Sequence, residues 1–212
     1  MHVLVVGAHG KIGRRFIHAI DGSEHTARAM VRDSGQIDEM KAIGATDVVV
    51  ADLEGDCSEA LSGCDAVVFT AGSGGHTPPE KTEDVDRNGA ISIIDQAVSA
   101  GVRRFVMVSS MNADTPENGS EKMQHYFRAK GAADNHLRST DLEYTIVRPG
   151  KLTEDDGTGQ VDIAKDLGRY GEIPRDDVAR VLLMTLDSPN TICKHFEVLS
   201  GDTPIEKALR GV

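Results

Sequence analysis

Three glycines near the start of the chain constrain its fold more than any other feature. Gly7, Gly10 and Gly13 follow an apolar, β-branched run at residues 3–6, and residues 14–20 then have a helical pattern. Because glycine has no Cβ atom, a turn at these positions brings backbone N–H groups and the positive end of the helix dipole close to an anion. A strand, a glycine turn and a helix in this order predict a dinucleotide-binding site. The alternative is that the glycines only allow the helix to pack closely on the strand.

The rest of the chain alternates between strand-like and helical patterns. Seven apolar runs have the character of buried strands: residues 3–6, 26–31, 47–51, 66–70, 103–109, 144–148 and 195–199. The helical segments between them predict right-handed crossovers, and hence a doubly wound parallel sheet of about seven strands with helices on both faces. We therefore expect one α/β Rossmann domain over residues 1–212. Ligands of such sheets bind at the carboxyl ends of the strands.

Two long helices are expected in the second half of this pattern, at residues 82–100 and 121–137. A loop of small residues at 71–77 leads to the first of them. After Pro149 the chain is less regular. In this region the sequence predicts a mobile acidic loop at 152–159, a small hairpin at 160–173 and a helix at 174–186. We expect residues 150–175 to form a small C-terminal excursion on the substrate side of the sheet.

The net charge of −11 at pH 7 argues against two classes of partner. Nucleic-acid binders carry basic surfaces, and anionic lipid repels an acidic protein, so we expect neither a nucleic-acid partner nor a membrane partner. Because the chain has no apolar run of the roughly 18 residues that cross a bilayer and no leader-like start, we expect a cytoplasmic protein. Cys57, Cys64 and Cys193 lack metal-ligand spacing, so we expect reduced packing residues and no metal site.

The glycine turn has the sequence GAHGKIG at residues 7–13, which matches the GxxGxxG turn of extended and atypical short-chain dehydrogenases/reductases. Residues 31–33, 106–110, 144–150 and 176–180 also resemble this family. The chain is most similar to its NAD(P)-binding, epimerase-like atypical subgroup, which includes biliverdin/flavin reductase-like enzymes and NAD(P)-dependent sugar epimerases. The resemblance covers nearly the whole chain. It implies the fold and the cofactor and leaves the substrate open.

The resemblance also implies which residues contact the cofactor. The glycine turn would hold the pyrophosphate, Asp52 and Leu53 the adenine ring, and the loop at 71–73 the pyrophosphate or ribose. The backbone near Pro149 would lie beside the nicotinamide amide. The full predicted set is Gly7, His9, Gly10, Lys11, Ile12, Gly13, Arg32, Asp52, Leu53, Ala71, Gly72, Ser73, Ser109, Lys130 and Pro149. The alternatives are a solvent-facing Asp52 and an ordinary turn at 71–73.

The end of the second predicted strand distinguishes NADP from NAD. Arg32 ends that strand and Asp33 follows it. An arginine fork suits the 2′-phosphate of NADP, whereas an acid at this point binds the ribose hydroxyl of NAD. Lys11 and Arg14 near the glycine turn add positive charge. We therefore predict NADP, and NAD is the alternative if Asp33 binds the ribose and Arg32 is an ordinary surface residue.

Four residues are candidates for catalysis. Tyr126 and Lys130 have the Y-x-x-x-K spacing, which places them one turn apart on one face of a helix. In the short-chain family the ammonium lowers the pKa of the phenol, which exchanges a proton while hydride moves at the nicotinamide. The resemblance further implies that Ser110, with Ser109 in reserve, orients the substrate oxygen and that Asp86 is the fourth group. The alternatives are a chance Tyr–Lys pair on a polar helix and a helix-terminal charge at Asp86.

These candidates predict an oxidoreductase or epimerase-type enzyme. We expect NADP-linked hydride transfer to or from a small carbonyl, sugar-like or flavin-like substrate. The alternative is a non-catalytic NAD(P)-sensing or NAD(P)-binding protein of the same fold. The expected partner is a small-molecule substrate, and the expected assembly is a monomer or a homodimer.

Overall fold

A large twisted sheet forms the centre of the molecule, and helices pack on both of its faces. The computed structural model describes residues 1–73 and 79–212. Residues 74–77 of the predicted loop at 71–77 therefore lie outside the described residues.

The strands follow one another along the chain with helices between most of them. In chain order they are β1 (His2–Val6), β2 (Thr26–Val31), β3 (Asp47–Val50), β4 (Ala66–Phe69), β5 (Arg104–Val108), β6 (Glu143–Pro149), β7 (Lys151–Thr153), β8 (Gln160–Ala164), β9 (Glu172–Pro174), β10 (Lys194–Ser200) and β11 (Thr203–Pro204). The main sheet has the order β11-β8-β10-β6-β5-β4-β1-β2-β3. Its pairs from β10 to β3 are parallel, whereas β8 runs antiparallel to both β10 and β11.

The helices of the described residues alternate with these strands. They are α1 (Lys11–Ile20), α2 (Ile37–Ala42), α3 (Ser58–Leu61), α4 (Pro79–Lys81), α5 (Ala90–Ser99), α6 (Glu121–Arg138), α7 (Arg175–Leu186) and α8 (Ile205–Leu209). In the part of the chain that the structure describes, none of them is both long and apolar enough to cross a bilayer.

Two apolar cores, one on each face of the sheet, explain this layering. Val3 and Val5 of β1 lie in the core that α1 and α7 cover, whereas Leu4 and Val6 lie in the core that α5 covers. All four side chains are fully buried, because successive residues of a strand point to opposite faces. An unbroken apolar run is therefore the pattern that a central strand of this sheet requires.

The site is positioned by the order in which the strands are connected. The chain runs from β1 outward to β2 and β3, then returns across β1 to β4 and continues outward in the other direction. Connections that leave the sheet in opposite directions open a crevice at the carboxyl ends of β1 and β4. The parallel order β3-β2-β1-β4-β5-β6 is that of the Rossmann fold, which confirms the predicted fold class.

The strand prediction is correct for the parallel part of the sheet and incomplete for the rest. The seven predicted runs correspond to β1–β6 and β10, and the described part of the sheet has nine strands because β8 and β11 extend it beyond β10. The hairpin predicted at 160–173 is wrong, since β8 pairs with β10 and β9 pairs in parallel with β7 in a separate sheet. These strands are short and their partners are distant in sequence, so a local pattern does not reveal the pairing.

The first predicted long helix is continuous and not uniformly α-helical. Thr82–Gly89 is wound as a π-helix, with α4 directly before it and α5 directly after it. Such segments are rare and occur mostly at functional sites. The wider winding leaves Asp86 fully buried while the neighbouring Arg87 stays exposed and binds Glu83.

The cysteines are free thiols, and two of them match the expected packing role. Cys57 and Cys64 are buried. Cys193 is exposed, contrary to that expectation, and precedes β10 with a φ of 57°. Within residues 1–73 and 79–212, no group of three or more His, Cys, Asp or Glu side chains is placed to hold a metal ion.

Candidate cofactor and active site

The backbone at the turn is packed so closely that Gly7 and Gly13 have no room for a Cβ atom. Gly7 has a φ of +79°, and a Cβ there would lie 2.6 Å from the backbone of Ala71, which follows β4. A Cβ at Gly13 would collide with the carbonyl oxygen of Gly7. The amide of Gly10 donates to that same oxygen over 2.9 Å and closes the turn. Close packing thus accounts for Gly13, whereas Gly7 and Gly10 line the crevice.

Helix α1 begins directly after the turn, with Gly10 as its N-cap. Gly10 offers no side-chain cap, and among the described residues no acceptor takes the amide hydrogens of Lys11 and Ile12. Both residues line the crevice. Free N–H groups at the positive end of a helix dipole form an anion site, so this cradle fits the pyrophosphate of a dinucleotide.

A cleft of about 1310 Å³ follows the carboxyl ends of β1 to β6. Small-molecule pockets are commonly about 300–1,000 Å³, so this cleft has room for a dinucleotide and a substrate together. The predicted residues that line it are Gly7, His9, Gly10, Lys11, Ile12, Arg32, Asp52, Leu53, Ala71, Gly72, Ser73, Ser109, Ser110, Tyr126, Lys130 and Pro149. Gly13 and Asp86 are not part of its lining.

The side chains of Arg32 and Asp33 lie in different surroundings. Arg32 is exposed and lines the cleft at the end of β2. The Asp33 carboxylate accepts the amide hydrogen of Gly35 over 2.8 Å and caps the short 3₁₀ turn at Ser34–Gln36. The Asp33 carboxylate thus lies in a local cap outside the cleft lining, whereas Arg32 is part of that lining.

Asp52 and Leu53 lie where β3 ends, and both line the cleft. One oxygen of Asp52 accepts the amide hydrogen of Glu54 over 3.0 Å, which fixes the turn. Leu53 packs against the π-helical segment, where a Cβ added at Gly89 would lie 3.2 Å from the Cβ of Leu53. The structure thus brings an acid and an aliphatic side chain together at the cleft end nearest to Arg32.

Asp86 joins the loop after β4 to helix α6. Its Oδ2 accepts the amide hydrogen of Ser73 over 3.0 Å, and its Oδ1 lies 3.7 Å from Nζ of Lys130. Asp86 is 0% exposed and Lys130 is 2% exposed. The same Nζ lies 5.6 Å from the centre of the Phe69 ring, within cation–π distance. Burying two opposite charges is weak evidence for stability, so this pair marks a candidate site.

The structure does not give Tyr126 the lowered pKa that the family resemblance implies. Burial raises the pKa of Tyr126 above its ordinary value, and the negative charges of Asp86 and Asp134 raise it further. Lys130 directs its ammonium group to Asp86 and the Phe69 ring instead. Tyr126 is therefore protonated at neutral pH, and it is a weaker acid than a free phenol.

The two serines after β5 lie in different environments. Ser109 is buried and donates its hydroxyl hydrogen to Oδ2 of Asp134 over 2.8 Å. Ser110 is partly exposed and lines the cleft, and within the described part of the chain its hydroxyl makes no hydrogen bond. Ser110 is thus the serine whose hydroxyl is available to a ligand.

Arg148 of β6 is buried and is the centre of an ion network. Its Nε and Nη2 donate to Oδ2 of Asp134 over 3.1 and 2.7 Å. Its Nη1 and Nη2 each donate to one oxygen of Asp114 over 2.7 Å. Arg138 of α6 also donates to Asp114, over 3.2 Å at its nearest. The network joins β6, α6 and the loop after β5, which carries Ser110.

The charges near the glycine turn are paired with acids. The ring of His9 contacts Glu39 over 3.0 Å, and Arg14 forms an ion pair with the same carboxylate. Lys11 donates to Glu154 over 2.7 Å. The positive charge that the sequence places beside the turn is therefore neutralised, in the case of Arg14 and Lys11, by partners distant in sequence.

Further residues of the cleft lining are not among the predicted site residues. They include Met123, His125, Phe127, Leu152, Tyr170 and Arg175. Arg175 could have been found, because it opens the predicted helix after Pro174. Tyr170, which is 61% exposed, lies in an irregular loop whose local sequence carries no signal for a ligand site.

Comparisons with known proteins agree with this geometry. The NAD(P)H-binding family matches residues 7–189. The chain is 46% identical over 214 residues to the uncharacterized sugar epimerase YhfK of Bacillus subtilis (strain 168), with 99% of each chain covered. A solved structure from Bacillus halodurans, provisionally named an NAD-dependent epimerase/dehydratase, is 45% identical with a TM-score of 0.98 over 100% of both chains. The oxidoreductase ylbE from Lactococcus lactis is 28% identical with a TM-score of 0.89, covering 100% of this chain and 96% of that one.

The family match includes the glycine turn, the strand ends and α6. The resemblance to atypical short-chain dehydrogenases/reductases is thereby confirmed for the fold and for the class of cofactor. With an open helix N-terminus at the glycine turn and a cleft along the strand ends, the chain belongs to the NAD(P)H-binding family.

Proposed function

We propose that this protein is an NADPH-dependent reductase that delivers hydride to a conjugated carbonyl or flavin-like substrate. The observation that carries the proposal is that one cleft includes Arg32, the glycine turn, Ser110, Tyr126 and Lys130. Family membership supports a nicotinamide dinucleotide. The guanidinium of Arg32 lines the cleft and supports the 2′-phosphorylated form, because an arginine fork matches phosphate geometry.

Three side chains would act on the substrate oxygen or on the charge that develops there. When bound, the nicotinamide ring supplies the hydride. The phenol of Tyr126 is protonated at neutral pH and would donate its proton as negative charge develops on the oxygen. The hydroxyl of Ser110, which also lines the cleft, donates a hydrogen bond to the same oxygen. The buried ammonium of Lys130 stabilises developing negative charge from within the wall of the cleft.

The apolar and aromatic residues of the lining favour a conjugated ring over a sugar. Met123, Phe127, Leu152 and Tyr170 line the cleft, and the charged residues Lys122, Lys151 and Arg175 line it as well. A flat conjugated ring gains from stacking on apolar and aromatic surface, whereas a sugar requires many polar partners. A sugar-like substrate is the alternative that the name of the YhfK relative suggests.

A second candidate function is dinucleotide binding without turnover. It is favoured by the position of Lys130, whose ammonium contacts Asp86 and the Phe69 ring and leaves the pKa of Tyr126 high. A chain of this kind would bind NADPH and reduce none of the plausible acceptors.

NADPH oxidation against a panel of acceptors tests both candidates. The panel contains free flavins, quinones, aromatic aldehydes and nucleotide sugars, and the comparison is between the parent, Tyr126→Phe and Tyr144→Phe. We expect turnover with a flavin, quinone or aromatic acceptor. Tyr126→Phe should lower kcat about 100-fold or more, because the proton donor is lost. Tyr144 is outside the cleft lining, so Tyr144→Phe is the matched control and should keep parental activity.

Two results would reject the proposal. Tight NADPH binding with no turnover of any acceptor would favour the binding module. Full activity in Tyr126→Phe would mean that hydride transfer needs no proton from this phenol, and would remove Tyr126 from the reaction.

A further inference from the structure

Glu154, the residue after β7, is held by three cations from two different parts of the chain. Its Oε1 accepts from Nζ of Lys11 over 2.7 Å and from Nη1 of Arg175 over 2.8 Å. Its Oε2 accepts from Nη2 of Arg15 over 3.1 Å. These contacts and charges hold the pKa of Glu154 below its usual range, with the hydrogen bond from Lys11 as the largest cause.

The contact joins the anion cradle to the substrate side of the cleft. Lys11 is the first residue of α1, next to the free amides of the glycine turn, and it lines the cleft. Arg175 is the first residue of α7, lines the cleft as well, and also donates to the carbonyl oxygen of Thr153 over 3.1 Å. A single carboxylate therefore occupies two cations that face the ligand space.

The other end of the segment after Glu154 is tied down separately. Buried Asp177 accepts the amide hydrogens of Thr158 and Gly159 over 2.9 and 2.8 Å. The anchor at Asp177 uses backbone amides, whereas the anchor at Glu154 uses only side-chain charges. Exposed ion pairs are weak and exchange partners readily, so the Glu154 anchor is the one that a ligand anion can replace.

We propose that the Glu154 carboxylate competes with the cofactor's phosphates for Lys11, so that dinucleotide binding releases Glu154 and loosens the segment 154–159. A dinucleotide brings two phosphate charges to the N-terminus of α1, where the Glu154 carboxylate repels them and occupies the nearest ammonium. Removing this acid therefore strengthens cofactor binding. The inference requires dinucleotide binding at the glycine turn and is independent of turnover.

NADPH titration of the purified protein, followed by fluorescence or calorimetry, tests the proposal with Glu154→Gln. We expect the Kd to fall about threefold to tenfold at low salt, and the gain to shrink as salt screens the charges. Without NADPH the same variant should melt at a lower temperature, because the segment has lost its anchor. The matched control is Glu206→Gln, which makes the same change of charge in an exposed ion pair. That pair joins Glu206 of α8 to Arg210, the residue that follows the helix.

A second variant makes the competition measurable in the same titration. Lys11→Gln should weaken NADPH binding more in the Glu154→Gln background than in the parent, since only the parent must first break the Lys11–Glu154 pair. Unchanged or weaker NADPH binding in Glu154→Gln, from a parent that binds NADPH, would overturn the competition alone. A parent that binds no NADPH would overturn the proposed function as well.

Discussion

Ser109 donates its hydroxyl hydrogen to Asp134 over 2.8 Å, and this bond gives it a different environment from the adjacent Ser110. Asp134 is completely buried and also binds Arg148, so the hydroxyl of Ser109 is committed to the interior. The next hydroxyl, that of Ser110, faces the cleft. Ser109 thus stabilises the interior through its hydroxyl, whereas the hydroxyl of Ser110 is placed to contact a ligand.

Alanine substitutions at the two serines should therefore have opposite effects. Ser110→Ala should lower kcat/KM about 10- to 100-fold while the free energy of unfolding stays the same, because only a hydrogen bond to the substrate oxygen is lost. Ser109→Ala should lower the free energy of unfolding by about 1 kcal/mol and leave NADPH affinity intact. Steady-state kinetics and urea unfolding of both variants measure this, and a Ser109→Ala variant with the larger catalytic defect would contradict the assignment.

Arg32 should determine the choice between the two dinucleotides. Arg32→Ala should weaken NADPH binding about 10- to 100-fold, because charge-assisted hydrogen bonds to a phosphate are lost, and should change NADH affinity less than twofold. Arg210→Ala, at an exposed arginine of the C-terminal region, controls for the loss of one positive charge. Equal affinities of the parent for NADPH and NADH would show that Arg32 does not bind a 2′-phosphate.

Removing one member of the Asp86–Lys130 pair should be more harmful than removing both. Asp86→Asn leaves a buried ammonium without its carboxylate, and should lower the free energy of unfolding by about 3 kcal/mol. Adding Lys130→Met removes that uncompensated charge, so the double variant should regain part of the stability. Urea unfolding of the two single variants and the double variant completes the cycle. Additive losses would mean that the two side chains do not interact.

The fold could be predicted largely from the sequence because its signals are local. The run before Gly7, the glycine spacing and the alternation of strands and helices each depend on neighbouring residues, and they identify the parallel strands and the crevice between them. The short strands β8 and β11 were missed because their pairing depends on contacts with distant segments. The π-helical winding around Asp86 was missed because it breaks the period of 3.6 on which a helix prediction depends.

The candidate site, like the fold, has some features that local sequence signals predict and others that depend on distant residues. Glycine positions, strand ends and the Y-x-x-x-K spacing predict a set of ligand-facing residues, and most of that set lines one cleft. The charge states of those residues depend on long-range pairs that the sequence does not reveal. Lys130 meets Asp86 from another helix, and Lys11 meets Glu154, which is distant in sequence. Burial and the negative charges of Asp86 and Asp134 raise the pKa of Tyr126, where the family resemblance implies a fall.

The Arg148 network should make the stability of the protein depend on pH in a defined window. Arg148 donates two hydrogen bonds to Asp114, and these bonds, together with the charges of Arg148 and Arg138, lower the pKa of Asp114 from its ordinary 3.8 to about 2. Because the pKa is lower in the folded state than in the unfolded state, the stabilisation is complete above about pH 4 and is lost as the pH falls toward 2.

Urea unfolding of the parent and Asp114→Asn at pH 7, 4.5 and 3 measures this contribution. Asp114 is partly exposed, so solvent screening limits the expected difference in the free energy of unfolding to about 1 kcal/mol at pH 7. The difference should persist at pH 4.5 and shrink to about half at pH 3, since the unfolded chain then takes up a proton that the folded chain does not. Asp202→Asn, at an exposed residue outside the network, should match the parent at each pH. A difference that stays constant down to pH 3 would mean that Asp114 stabilises the protein through its shape and not through its charge.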